Sequence, residues 1–65
     1  MGWLWAYEKS DGTEVGRSGD FDSRGDAESW IGENFGDLLE EGIDQVRLYE
    51  GEIVIFGPMS LHPDH

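Results

Sequence analysis

Cysteine is absent from the 65 residues. Without it the chain can form neither a disulfide nor a thiolate zinc site, so a small fold must rely on tight packing, oligomerisation or a ligand. A chain of this length buries only about 60% of the surface that its unfolded form exposes. We therefore expect one small domain over residues 1–58, followed by a C-terminal tail over 59–65.

Positive charge is also scarce, because four Lys and Arg stand against 15 Asp and Glu and give a formal net charge of −11. Such a surface repels phosphate backbones and anionic lipids, so we expect no direct nucleic-acid or membrane binding, whereas a basic protein would be attracted. The sequence shows no basic leader followed by an apolar run and no run approaching a membrane span. We expect a cytoplasmic protein, and its aromatic residues predict that it folds.

Aromatic residues alternate along residues 3–9 and lead into Ser10-Asp11-Gly12, which predicts a hairpin. A three-residue loop with Gly12 in the left-handed region gives this alignment: Lys9 opposite Thr13, Tyr7 opposite Val15, and a shared face of Trp3, Trp5, Tyr7 and Val15. A two-residue Asp11-Gly12 turn gives another: Lys9 opposite Glu14, and Val15 on the face of Leu4, Ala6 and Glu8. We favour the three-residue loop because it groups the large apolar residues.

Residues 16–22 read as a loop whose one aromatic residue, Phe21, points inward. A helix follows, capped by Asp22 or Ser23 and ended by Gly42. At 100° per residue it carries three stripes. The apolar stripe is Ala27, Trp30, Ile31, Phe35, Leu38 and Leu39; the acidic stripe is Asp26, Glu33, Asp37 and Glu40; the strip of small residues is Ser29, Gly32 and Gly36. Two mid-helix glycines leave open whether the helix is continuous or broken.

Two runs of strand-forming residues flank Glu50-Gly51 and predict a second hairpin. A two-residue loop there gives the pairs Leu48–Ile53 and Val46–Ile55, all facing the helix, and an opposite face of Arg47, Tyr49, Val54 and Phe56. Gly57-Pro58 is expected to end the strand. The order β-β-α-β-β predicts an α+β fold, a single small domain in which an antiparallel sheet of three to four strands packs on one helix.

Motifs for catalysis or metal binding are weak. Residues 20–31 begin like a calcium loop, but Arg24 occupies a ligand position and Ile31 replaces the closing glutamate, so helix capping is the better interpretation. The tail contains three residues of types that bind metals, His62, Asp64 and His65. It offers no neighbouring residues to orient them, so we expect the tail to be solvated. With no cysteine nucleophile, both histidines in the tail and no phosphate-binding loop, we predict no enzyme, no cofactor and no metal.

The aromatic residues Trp3, Trp5 and Tyr7 are the material of a base-stacking platform, but such a platform needs a basic groove that this chain lacks. We therefore expect these rings in the core. A small-ligand binder or weak enzyme would require a pocket enclosed by Trp5, Tyr7 and Trp30.

Two segments, FDSRGDAESWIGE at 21–33 and FGPMSL at 56–61, resemble a group of small acidic actinobacterial proteins of unknown function. The similarity covers most of the chain. It implies a stand-alone cytoplasmic protein, and it carries neither an activity nor a functional residue.

The leading hypothesis is a non-enzymatic protein-interaction module that self-associates as a homo-oligomer, since an interface adds apolar burial that a small domain lacks. The alternative is an acidic inhibitor or nucleic-acid mimic that binds a basic protein through the helix. The candidate partner-binding residues are Tyr49, Val54 and Phe56 on the second sheet face, Gly32 and Gly36 in the strip of small residues, and Glu33, Asp37 and Glu40 in the acidic stripe.

Overall fold

A computed structural model describes residues 2–62 and contains four strands and one helix. Their bounds are β1 Trp3–Glu8, β2 Glu14–Arg17, α1 Arg24–Glu40, β3 Gln45–Glu50 and β4 Ile53–Ser60. The strands form one antiparallel sheet in the order β2-β1-β3-β4, with α1 packed on one face. The predicted α+β fold with its β-β-α-β-β order is therefore confirmed.

The first hairpin closes through the three-residue loop that we favoured. The Lys9 N–H donates to the Thr13 carbonyl at 2.9 Å, and Gly12 has φ +91°. A left-handed backbone strains any residue with a Cβ, so glycine suits this position. The loop residues thus determine which residues close the hairpin, as predicted.

The alignment beyond the loop was predicted wrongly for Val15. Glu8 pairs with Glu14 and Tyr7 pairs with Gly16, so Val15 is the extra residue of a β-bulge. Val15 is 49% exposed and does not join the aromatic face. A Cβ at Gly16 would lie 3.4 Å from the Tyr7 ring, so the bulge places the residue without a side chain beside the ring.

Helix α1 begins and ends at the predicted residues and is continuous. The Ser23 hydroxyl accepts the Asp26 N–H at 3.1 Å, which identifies Ser23 as the N-cap. At the other end Gly42 has φ +94°, and the Ile43 N–H donates to the Leu38 carbonyl at 3.0 Å. This is a Schellman motif, in which a left-handed glycine lets the chain leave the helix with its last carbonyls bonded.

The core lies between α1 and the centre of the sheet. Trp5 is 1% exposed, and its indole N–H donates to the Ala27 carbonyl of α1 at 2.8 Å. Val46 and Leu48 are fully buried beside it on β3. The core position predicted for Trp5 is confirmed, and the rings of Tyr7 and Trp30 stack at 6.4 Å against the same core.

The apolar stripe of α1 is mostly, though not wholly, covered. Its buried members are Ala27, Ile31 and Leu38, and its half-buried members are Trp30 and Leu39. Phe35 was predicted wrongly as core, since it is 44% exposed. Phe21 is half-buried as expected: its backbone pairs with that of Trp3, and its ring lies 5.5 Å from that of Trp30.

The second hairpin turns one residue later than predicted. Glu50 pairs with Ile53 around Gly51-Glu52, and Gly51 has φ +62° at the first central position, the geometry of a type II′ turn. The predicted pairs Leu48–Ile53 and Val46–Ile55 are therefore wrong. The observed pairs are Tyr49–Val54, Leu48–Phe56 and Val46–Met59, with a bulge at Ile55 and another at Gly57-Pro58.

Strand β4 does not stop at Gly57-Pro58, contrary to the sequence prediction. A bulge accommodates a proline, whose missing N–H then leaves the ladder intact on either side. Gly57 has φ +117°, and a Cβ there would lie 2.9 Å from the Val46 carbonyl oxygen, so only glycine fits. The strand continues to Ser60, and Leu61 is buried in the core.

Candidate interaction surface

The acidic stripe of α1 is solvent-exposed along its whole length. Asp26, Glu33, Asp37 and Glu40 are all exposed. Because α1 continues through both glycines, these carboxylates lie on one rigid rod. The stripe that the sequence predicted is therefore present as a surface, and its partner stays a hypothesis.

The strip of small residues faces open space. A Cβ added to Gly32 or to Gly36 would meet no atom within 4 Å outside the helix's own backbone. Neither glycine is needed for close packing of the described residues against the helix. Within the described residues, no packing contact explains why positions 32 and 36 are glycine.

The second sheet face does not unite the three residues predicted for it. Val54 pairs with Tyr49 on that face, but the bulge at Ile55 aligns Phe56 with Leu48, whose side chain faces α1. Tyr49 is half-buried, and the Arg17 guanidinium lies 5.0 Å from its ring centroid. Tyr49, Val54 and Phe56 are therefore not one apolar patch.

Polar and charged side chains cover much of the second sheet face. Glu8 is 4% exposed; its Oε1 accepts from the Gln45 amide at 2.8 Å, and its Oε2 lies 2.7 Å from Arg47 Nε. The Arg47 Nε–H is not aligned on that oxygen, so this contact is an ion pair by distance without a hydrogen bond. On the same face Arg17 pairs with Glu14 at 2.7 Å. No signal in the sequence predicts this buried carboxylate, since Glu8 stands at the end of a strand, where acidic residues are usually exposed.

The exposed apolar side chains concentrate on β4. Ile53 is 67% exposed, Val54 43%, Ile55 38% and Phe56 44%. Strand β4 has a neighbour only on the β3 side, so within residues 2–62 no strand pairs with its other edge. Ile53 and Ile55 were not among the predicted partner-binding residues, although one signal was available: residues 53–63 are the longest stretch without Asp, Glu, Lys or Arg.

One shallow groove lies between α1 and the end of β4. Its volume is about 140 Å³, and it is lined by Ile31, Gly32, Phe35, Met59, Ser60 and Leu61. Its position differs from that of the pocket required for a small-ligand binder, because Trp5, Tyr7 and Trp30 pack with the core instead of enclosing a space. With one hydroxyl among apolar walls, the groove offers little for orienting a ligand.

His62 is held against the start of β3. Its Nε2 lies 2.7 Å from Asp44 Oδ1, while Asp44 Oδ2 accepts the Ser10 N–H at 3.0 Å. The hydrogen bond from His62 is the main reason that the pKa of Asp44 is lowered from its ordinary value of 3.8. Within residues 2–62 no three His, Asp or Glu side chains cluster as a metal site; Asp64 and His65 lie outside the described residues.

The negative charge is largely uncompensated at the surface. Each arginine lies within ion-pair distance of one glutamate, as Arg24 does with Glu28 at 2.9 Å. The two exposed pairs, Arg17–Glu14 and Arg24–Glu28, contribute little stability, on the order of 0–1 kcal/mol each. The remaining acids leave a negative surface that is interrupted along β4. No helix in the described part of the chain is both long and apolar enough to cross a membrane.

These features define a small acidic α+β domain with an exposed, uncharged edge strand. In comparisons with protein-family models, curated proteins and solved structures, nothing matches the chain. The resemblance to small acidic actinobacterial proteins stays a prediction.

Proposed function

We propose that the protein is a non-enzymatic interaction module that self-associates. The observation that carries the proposal is the concentration of exposed apolar side chains on β4, within a surface that is otherwise acidic. Contiguous exposed apolar residues mark interaction sites more often than isolated ones do. A second copy would also supply the apolar burial that a 65-residue chain lacks. We propose that it acts in the cytoplasm, without cofactor or metal.

Analytical ultracentrifugation from about 10 μM to 1 mM tests this proposal, at 50 mM and at 500 mM NaCl. Two copies that each carry −11 repel one another, so added salt should strengthen self-association by screening. A monomer at every concentration and both salt levels would refute the proposal.

A second candidate function is supported by the exposed acidic stripe. In this proposal Glu33, Asp37 and Glu40 imitate successive phosphates and bind the basic groove of a nucleic-acid-binding protein. Salt separates the two functions, because binding to a basic partner weakens as salt rises. The test is retention of DNA-binding proteins by the immobilised chain at low and high salt, with a Glu33→Gln, Asp37→Asn, Glu40→Gln variant as control. Equal retention by both forms would exclude the stripe as the binding site.

A further inference from the structure

In the described part of the chain the sheet ends at β2 on one side and at β4 on the other, and the two edges are built differently. We call residues Ile53–Phe56 the edge segment. Because Glu50 and Ile53 flank a two-residue turn, their backbone groups bond each other, and the N–H and C=O of Val54 then point away from the sheet. An edge strand presents such unpaired groups as a template for a further strand.

Protective features are present at β2 and at the second half of β4, but not at the edge segment. Strand β2 has only four residues, begins with Glu14, ends with Arg17 and is bulged at Val15. In β4 the bulge and Pro58 interrupt pairing after Phe56. The edge segment itself carries four exposed residues that favour strands, with neither charge nor proline. Left uncovered, such a segment is an aggregation site.

We propose that two copies of the chain pair antiparallel through Ile53–Phe56 and form a continuous eight-stranded sheet across a two-fold axis. The inference rests on the proposed self-association and specifies its surface and its geometry. A two-fold arrangement needs only one self-complementary strand, and with the axis at Val54 it places Val54 opposite Val54 and Ile53 of one copy opposite Ile55 of the other. Main-chain hydrogen bonds then use the outward groups of Val54 on both copies.

The distribution of charge identifies a second copy as the occupant. A basic partner would gain nothing at residues 53–61, which carry no charged side chain, and would be drawn to the acidic stripe instead. Each of two copies has a net charge of −11, and contact through this stretch brings the fewest acidic side chains of the two copies close together. In this antiparallel arrangement Glu52 lies opposite Phe56 of the other copy. The two Glu52 residues are then four positions apart along the strands, about 14 Å, which exceeds the Debye length of about 8 Å at physiological salt.

A matched pair of substitutions tests the inference. Val54 and Val15 are both exposed valines on edge strands, 43% and 49% exposed, and Val→Glu changes the net charge equally at either site. We expect Val54→Glu to raise the dimer dissociation constant at least tenfold, and Val15→Glu to change it less than threefold. Circular dichroism and thermal melting confirm that both variants fold.

Amide hydrogen exchange of the unsubstituted protein provides a second measurement that needs no variant. The Val54 amide should exchange more slowly as the protein concentration rises through the dimerisation range, while the Val15 amide should not change. A dimer that persists in Val54→Glu would overturn the edge pairing and leave self-association standing. Loss of the dimer without protection of the Val54 amide would overturn the strand geometry. A monomer under all conditions would overturn both proposals.

Discussion

Replacing the two mid-helix glycines should stabilise the fold. Gly32 and Gly36 have helical backbone conformations, and an added Cβ would meet no atom beyond the helix's own backbone. Alanine in a helix interior is favoured over glycine by about 0.8–1 kcal/mol, because glycine loses more backbone freedom on folding. The double variant should therefore gain about 2 kcal/mol. For a domain of this size that corresponds to an increase in Tm of roughly 8–16 °C.

Gly42→Ala provides a control with the opposite sign. An added Cβ at Gly42 also meets open space, but the φ of +94° disfavours alanine. We expect it to lose about 1–2 kcal/mol, as left-handed backbone costs an L-residue. The assay is urea and thermal unfolding followed by circular dichroism. A lower Tm in Gly32→Ala or Gly36→Ala, or the same direction of change in all three variants, would refute the reasoning.

The same variants separate two possible interfaces. If the strip of small residues were the contact between copies, the two alanines would fill the space that a partner backbone needs and would weaken the dimer. Pairing through β4 instead leaves the dimer dissociation constant unchanged while the fold becomes more stable.

Two further predictions concern ionisable groups. Arg47→Met should destabilise the fold by about 3 kcal/mol, because it leaves the buried Glu8 carboxylate with the Gln45 amide as its only partner. Adding Glu8→Gln should recover most of that loss. Urea unfolding of both variants measures the two changes, and an equal loss of stability in the double variant would contradict the reasoning. Because the folded pKa of Asp44 is lowered, its contribution to stability is fully present above the unfolded value of 3.8 and is lost as pH falls through the folded pKa. His62→Ala should raise the pKa of Asp44 toward 3.8 and so reduce the size of this pH-dependent contribution to stability. An NMR titration of the Asp44 carboxyl that matches the unsubstituted protein would argue against the contact.

The elements that sequence predicts well here are those fixed by local chemistry. Ser23 and Gly42 bound the helix through caps that depend on neighbouring residues only. Gly12 likewise sets the closing pair of the first hairpin. The fold class follows from the order of these local elements, because two hairpins and one amphipathic helix have few ways to bury their apolar faces.

The features that the sequence did not predict depend on bulges and on the position of the second turn. One extra residue at Val15 and another at Ile55 shift the pairing and move apolar side chains out of their expected places. A bulge leaves no clear local signature, since it is decided by which register packs best against the opposite strand. The candidate surface was affected most, because Phe56 moved off the second sheet face and Ile53 and Ile55 joined the exposed set. Glu8 was missed for a related reason: its burial depends on Arg47 and Gln45, which are remote in sequence.

Strands β1 and β3, which pair at the centre of the sheet, are separated by a long stretch of sequence. Glu8 and Gln45, at one end of the β1–β3 ladder, are 37 positions apart, whereas Lys9 and Thr13 close the first hairpin across three residues. Closing the longer loop costs roughly 2 kcal/mol more in chain entropy. Formation of α1 reduces the number of conformations available to this loop, because its 17 residues become a rod of roughly 26 Å that returns the chain to the sheet. No tight turn dictates how β1 meets β3, so the rate of folding depends on when the helix and the two hairpins find one another.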